Sequence, residues 1–331
     1  MKGTILMESR YFKDKDITDF MRDLEAVPYV SKIEFTNLCN LNCPACPTGI
    51  LTEQHREDIP LALLQKIVDN NWLRNTPYVE LMMSGEATLH RHFEQAVNIV
   101  KSSGVMAGLS TNLVDAKKIP ILARLDSVTV SMDVFNKEGY EKSRPPMKFD
   151  RLISNIRTLV DMAMPSTMIY LQLLRTEFTE PYFIESISKA KQFVEELNNR
   201  SVKSGGKANV VLRYVSDCFG GTMGRQTVQF NKRQCLTPST AVVIKSSGTV
   251  HPCGYCFTGK EEGLVLGSIY THTLEEIWDG EPVRKLRKAH QEQKNLPARC
   301  MVCQDINRNN HVFQSSISTD IIRHRSGILI K

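Results

Sequence analysis

Three cysteines stand close together in Cys39-Asn40-Leu41-Asn42-Cys43-Pro44-Ala45-Cys46, with three residues and then two between them. Thiolates are soft ligands that suit iron–sulfur clusters, zinc or copper. Spacings this short let one irregular loop wrap a single metal centre. A structural zinc site takes four protein ligands, and the next cysteine along the chain is Cys218. A 4Fe–4S cluster held by three thiolates instead keeps one iron open to a substrate or cofactor. The spacing alone leaves the cluster, a zinc loop and unrelated surface thiols as alternatives. A second group lies in the tail: Cys235, Cys253, Cys256, Cys300 and Cys303. Ala241-Val242-Val243-Ile244 and Thr249-Val250, on either side of Ser246-Ser247-Gly248, read as a β-hairpin. That hairpin brings Cys235 and Cys253 to one end, and Cys300-Met301-Val302-Cys303 adds two more thiols. Four thiolates complete either a zinc site or a cysteine-ligated cluster.

The elements that position the first group alternate between strand and helix. Strands are predicted at 31–36, 78–83, 106–111, 127–133, 167–174 and 208–214 from their short apolar or alternating runs. Helices are predicted at 60–70, 91–102, 117–125, 149–164 and 181–197, with Pro60 in the first turn of one and Gly104 just past the end of another. A weak helical pattern around Ile17, Phe20, Met21 and Leu24 predicts an N-terminal cap helix, and 273–290 reads as one helix in the tail. Such alternation argues for parallel βα units, which right-handed crossovers curl into a barrel or partial barrel. Sites then sit at the C-terminal ends of strands. The cysteine loop follows strand one, Glu86 strand two, Asn112 strand three, and Asp133 ends strand four.

The whole chain of 331 residues is 41% hydrophobic and 24% charged, ordinary for a globular protein with a sizeable core. Its net charge of +6 is spread without a basic block, so nucleic acid is not implied. No signal peptide or membrane-length apolar run is legible, which predicts a cytoplasmic protein. Disulfides are rare there, so nine clustered cysteines point to metal.

The CxxxCxxC loop resembles that of the radical S-adenosylmethionine (SAM) superfamily, over about residues 31–215, with 1–30 as a cap segment. The resemblance implies a partial (β/α)6 barrel, with a 4Fe–4S cluster on Cys39, Cys43 and Cys46 whose open iron chelates the SAM amino and carboxylate groups. Ser84-Gly85-Glu86 resembles the family's GGEP motif, with Ser84 for the first Gly and Ala87 for the Pro; Gly85 and Glu86 would meet the SAM ammonium. Ser110-Thr111-Asn112 resembles its TNG stretch, with Leu113 where Gly is usual. Ser131-Met132-Asp133, followed by Tyr140 and Arg144, resembles a stretch of the branch with C-terminal cluster domains. By that similarity Ser131 and Arg144 would bind the SAM carboxylate and ribose, and adenine would rest near Ala45 and Leu173.

Residues 216–331 resemble the SPASM/twitch auxiliary-cluster domain, a small α+β unit of β-hairpin plus helix. In the shorter twitch form it holds one auxiliary 4Fe–4S cluster, here on Cys235, Cys253, Cys300 and Cys303. The arrangement resembles the aminoglycoside-pathway dehydrogenases of the family. It implies abstraction of hydrogen from a small-molecule substrate by a 5′-deoxyadenosyl radical, with the auxiliary cluster taking an electron. A reductant such as flavodoxin or ferredoxin is the implied partner. His251, Tyr214 and Asp217 are candidate proton acceptors. Cys256 and Cys218 are either small buried hydrophobes or hydrogen-atom donors, as in radical SAM epimerases. Epimerisation, peptide maturation and a non-catalytic zinc protein are the rival readings; the short N-terminus weighs against peptide maturation.

Overall fold

A computed structural model of the chain describes residues 26–46, 57–200, 205–206, 208–215, 235, 237–256, 262–301, 303 and 328–329. The cap helix expected within residues 1–30 lies outside the described residues, as do Asp217 and Cys218. The strands are β1 (Tyr29–Ile33), β2 (Tyr78–Glu80), β3 (Met106–Thr111), β4 (Ser127–Asp133), β5 (Met168–Leu174), β6 (Asn209–Val215), β7 (Ala241–Ile244), β8 (Thr249–His251), β9 (Gly267–Ser268) and β10 (Ile328–Leu329). The helices are α1 (Leu61–Asp69), α2 (Phe93–Ser102), α3 (Ile119–Leu122), α4 (Lys137–Ser143), α5 (Phe149–Met162), α6 (Glu180–Asn198), α7 (Leu274–Trp278), α8 (Glu281–Glu292) and α9 (Ala298–Met301). None of the helices among the described residues is long and apolar enough to cross a membrane.

The described residues fall into two compact units. One draws on Met1–Leu38, Glu53–Met106 and Phe219–Arg325, the other on Cys39–Thr52, Ala107–Cys218 and Ser326–Lys331. In the first, β1 runs parallel to β2 on one side and to β7 on the other, and β7-β8-β9 continue as an antiparallel meander. The predicted hairpin therefore lies directly against β1. Its turn needs Gly248, whose φ of +72° is a left-handed conformation that residues with a Cβ rarely adopt. Behind these strands Ile33, Phe35, Ile59, Leu64, Ile67, Val79 and Leu81 are all fully buried. Each such side chain contributes roughly 1.5–3 kcal/mol of hydrophobic stabilisation.

In the second unit β3, β4, β5 and β6 are parallel neighbours and β10 adds antiparallel to β6. Their registers sort the residues into two faces. Leu109, Val128, Val130, Ile169, Leu171, Leu173 and Leu212 share an apolar face, at most 2% exposed. Ser110, Thr129, Ser131, Tyr170, Gln172 and Arg213 line up on the other.

The elements differ from expectation in three informative places. The helix expected at 273–290 is two helices, because Gly280 and Pro282 interrupt it: Gly280 caps α8 and Pro282 sits in its first turn. The helix expected at 117–125 is a 3₁₀ turn followed by the single turn α3. Helix α4 has no counterpart in the sequence reading. Its segment KEGYEKS has little apolar periodicity, and it is started by Asn136, whose side chain accepts from the Gly139 N–H at 2.9 Å.

Candidate iron–sulfur and SAM site

β1 ends at Ile33, earlier than expected, and residues 34–38 form an anchored irregular segment leading into the cysteine loop. The loop's own turn is closed by the Cys46 N–H donating to the Cys43 carbonyl at 3.0 Å. Cys39, Cys43 and Cys46 are all half-buried. Burial pushes the Cys43 thiol up to about 11, opposed by the positive charge of Arg144 and reinforced by Asp133, Cys46 and Cys39. The three thiols are therefore close enough to act on one another, which is what a shared centre requires. Ala45, in the same turn, is buried.

Two strand ends hold this loop's surroundings. Asn112, after β3, donates from its side-chain amide to the Asn40 side chain at 2.8 Å, tying the third-strand motif to the cysteine loop. Thr111 accepts from the Leu113 N–H at 2.9 Å. Leu113 adopts φ +55°, a left-handed conformation that Gly enters freely, at a cost of roughly 1–2 kcal/mol for an L-residue. The Asn155 side chain, bonded to the Leu113 carbonyl at 2.8 Å, helps hold it. After β4, Arg144 donates two parallel bonds to Asp133, both 2.8 Å, and Ser143 adds a third at 3.0 Å. The fork expected to grip a SAM carboxylate thus grips Asp133, while its charge reaches Cys43. Ser131 lies on the polar strand face. Leu173 corrects an expectation: it is fully buried on the apolar face, opposite to Ser131. Tyr214 is half-buried and shares that face by register with Leu173, its ring edge-on to Phe183 of α6 at 6.3 Å.

The Ser84-Gly85-Glu86 motif belongs to the first unit. The Glu86 N–H donates to the Leu38 carbonyl at 2.7 Å, and its buried carboxylate accepts from the Thr88 hydroxyl at 2.7 Å. Gly85 is pressed against the backbone of 36–38, so that a Cβ would come within 2.4 Å of the Thr36 carbonyl oxygen and 2.5 Å of that of Leu38. A residue the sequence reading missed completes this corner. Glu34 is fully buried and accepts from the Ser84 N–H and hydroxyl and from the Ser246 N–H and hydroxyl, with the Lys245 ammonium 4.0 Å away. One carboxylate thus joins the end of β1, the second-strand motif and the hairpin turn. Uncoupling a buried charge from its partners costs about 3–5 kcal/mol.

Four further thiols gather in the same unit. Cys235, Cys253, Cys300 and Cys303 are half-buried. Burial raises the Cys300 thiol, and Cys253, Cys235 and Cys303 raise it further. α9 presents Cys300, and Cys303 follows the helix, its N–H donating to the Cys300 carbonyl at 3.3 Å. Among the described residues no three His, Cys, Asp or Glu side chains already stand as a single-ion site. The donor chemistry fits iron–sulfur ligation: two all-thiol sets, one of three and one of four. Cys256 is fully buried, and its carbonyl accepts from the Lys245 ammonium at 3.2 Å. His251 is also fully buried, its Nε2 3.0 Å from the Thr249 hydroxyl.

Residues 33–180 match the radical SAM superfamily, and residues 235–304 match SPASM, an iron–sulfur cluster-binding domain. A curated relative, a probable GTP 3′,8-cyclase of Saccharolobus islandicus, is 28% identical over 156 residues, 45% of this chain and 47% of that protein. The chain therefore spans about half the length of the curated relatives it matches. The structure of Streptococcus suis SuiB bound to S-adenosylmethionine is similar with a TM-score of 0.60 at 15% identity, over 87% of this chain and 74% of that one. BtrN in complex with AdoMet and 2-DOIA is similar over 80% of this chain and 88% of that one at 15% identity, but its TM-score of 0.47 carries no weight. The likeness to SuiB and the two domain matches show a partly open α/β barrel of parallel strands with a C-terminal SPASM domain. The cofactors of the two domains are SAM and two 4Fe–4S clusters. Thiol sets, fold and both matches agree: residues 33–180 are similar to the radical SAM superfamily and residues 235–304 to the SPASM iron–sulfur cluster-binding domain.

Proposed function

We propose that this chain is an oxidoreductase of the dehydrogenase type, akin to 2-deoxy-scyllo-inosamine dehydrogenase, acting on a C–H bond of a hydroxyl-rich small molecule such as a sugar, cyclitol or aminoglycoside. When bound, SAM and the two clusters supply a 5′-deoxyadenosyl radical and an acceptor for one electron. Hydrogen abstraction from a carbinol carbon, loss of the hydroxyl proton and loss of that electron together turn the alcohol into a ketone.

The observation that carries this reading is the four-thiol set. A cluster with Cys235, Cys253, Cys300 and Cys303 on its four irons has no iron left for substrate, so its contribution is electron transfer. The first set, Cys39, Cys43 and Cys46, keeps one iron for SAM. Glu86 supplies a buried carboxylate for the SAM ammonium. The polar strand face of Ser110, Thr129, Ser131, Tyr170, Gln172 and Arg213 favours a substrate rich in hydroxyls. Arg213 is held for that purpose, its Nη2 2.7 Å from the Gln172 side-chain oxygen and its guanidinium 5.4 Å from the Tyr170 ring centroid. Complete burial of Cys256 weighs against a hydrogen-atom donor and so against epimerisation. A small reductant such as flavodoxin or ferredoxin delivers the first electron.

Cys300→Ala tests the role of the second set. We expect about four of about eight irons per chain to remain, 5′-deoxyadenosine still to form from SAM, and oxidised product to disappear. Undiminished product from a variant that has lost those irons would remove the auxiliary cluster from the oxidation.

A further inference from the structure

We propose that Glu34 is a positioning residue for SAM: by holding Ser84 it fixes the Ser84-Gly85-Glu86 segment so that the Glu86 carboxylate is presented to the SAM ammonium. The proposal rests on the reading that Glu86 meets that ammonium.

Glu34 follows β1 directly, and its side chain is fully buried. A carboxylate offers two oxygens, both acceptors. One of them, Oε1, is given to Ser84, accepting from its backbone N–H at 3.0 Å and from its hydroxyl. The other, Oε2, serves the hairpin turn, accepting from the Ser246 N–H at 3.2 Å and hydroxyl at 3.0 Å. The Lys245 ammonium, itself buried, stands 4.0 Å from Oε2 as the counter-charge and is tied in turn to the Cys256 carbonyl at 3.2 Å. Hydrogen bonds to an ionised acceptor are about twice as strong as neutral ones, so Ser84 is held firmly.

The segment that Ser84 begins needs such a hold. It lies between the end of β2 at Glu80 and the 3₁₀ turn Ala87–Leu89, outside any strand or helix, so no ladder fixes it. Residues 34–38 do so instead, with one contact for each residue of the segment. The Glu34 side chain takes Ser84, the backbone of 36–38 lies against Gly85, and the Leu38 carbonyl accepts from the Glu86 N–H at 2.7 Å. The first of these contacts is made by a side chain, so it can be altered with the backbone left intact. The Glu86 carboxylate is buried with the Thr88 hydroxyl at 2.7 Å. Its aim is set by a backbone that Glu34 pins at one end and Leu38 at the other.

Glu34→Gln keeps the size of the side chain and turns one oxygen into an N–H2. That group faces a backbone N–H, of Ser84 or of Ser246, from which it cannot accept, and the bonds that remain are no longer charge-assisted. The experiment measures the SAM dissociation constant by anaerobic equilibrium dialysis, with iron content and melting temperature, on reconstituted wild type, Glu34→Gln, Glu86→Gln and the double variant. We expect Glu34→Gln to keep its iron and to bind SAM about tenfold more weakly. In the Glu86→Gln background the same change should leave SAM affinity where it is, because the group it aims is gone, while the melting temperature falls equally in both backgrounds. Ser84→Ala, which removes only the hydroxyl, should weaken SAM binding in the same direction and by less; if Glu34→Gln does not fold, Ser84→Ala carries the same cycle with Glu86→Gln. Unchanged SAM affinity in each of these variants that folds, or an equal loss with and without the Glu86 carboxylate, would overturn the proposal, since either is the result of a purely structural bond. Wild-type SAM affinity in Glu86→Gln alone would instead remove the assignment of Glu86 to SAM on which the proposal rests.

Discussion

Replacing Cys39, Cys43 and Cys46 together with alanine is expected to abolish SAM cleavage and to leave about four irons per chain where the wild type holds about eight. The effect should be all or none. The three thiols are the only cysteines of their loop, and Cys39 and Cys46 both alter the ionisation of Cys43, so no neighbouring thiol can substitute. The four-thiol set lies in a different compact unit, which is why its irons should survive the change. Iron and sulfide analysis on anaerobically reconstituted protein, paired with chromatographic detection of 5′-deoxyadenosine, reads both halves of the prediction. A triple variant that still cleaves SAM would show that the open iron is elsewhere.

Gly85→Ala is expected to have a large effect for a single change. The new methyl group would meet two backbone carbonyl oxygens, of Thr36 and Leu38, at 2.4 and 2.5 Å. Neither belongs to a flexible side chain that can swing aside. The Glu86 N–H, bonded to the same Leu38 carbonyl, would have to move with it. Overpacking of this kind costs about 1–3 kcal/mol. The cost falls on the segment that runs directly into Cys39. We therefore expect a lower melting temperature together with loss of up to half the iron, the auxiliary irons being retained. A variant with wild-type melting and full iron would mean that 36–38 yields freely and does not set the position of the cysteine loop.

The parts of this fold that could be read from the sequence are those whose signals are local. β3 and β4 match their expected limits because apolar alternation and turn residues bound them on both sides. The cysteine spacings, the hairpin with Gly248, and the Gly85-Glu86 motif are local too. Glu34 could not be found this way. It is one acid at the end of a short strand, and its partners Ser84 and Ser246 are 50 and 212 residues away. The polar face with Gln172 and Arg213 was likewise hidden, since alternation along one strand does not say which residues of its neighbours share the face; the registers of β3 to β6 do. Leu173 is placed near adenine by resemblance and Tyr214 is one of three candidate proton acceptors; the register pairs them with each other on the apolar face, opposite to Ser131. The break between α7 and α8 was legible in Gly280 and Pro282, but the apolar stripe of Leu274, Ile277 and Trp278 outweighed them. Asp133 shows how a motif can be legible while its partner within the chain is not: Arg144 reads as a cofactor-binding residue, and its guanidinium donates two bonds to the Asp133 carboxylate.

The most direct test of the dehydrogenase reading is anaerobic turnover in D2O with SAM, reductant and candidate sugars, cyclitols or aminoglycosides, for the wild type and Cys256→Ala. The account predicts a product two mass units lighter than substrate, about one 5′-deoxyadenosine per product, and the same outcome in Cys256→Ala. A product of unchanged skeletal mass carrying one solvent deuteron on carbon, formed by the wild type and lost in Cys256→Ala, would contradict it and make the enzyme an epimerase.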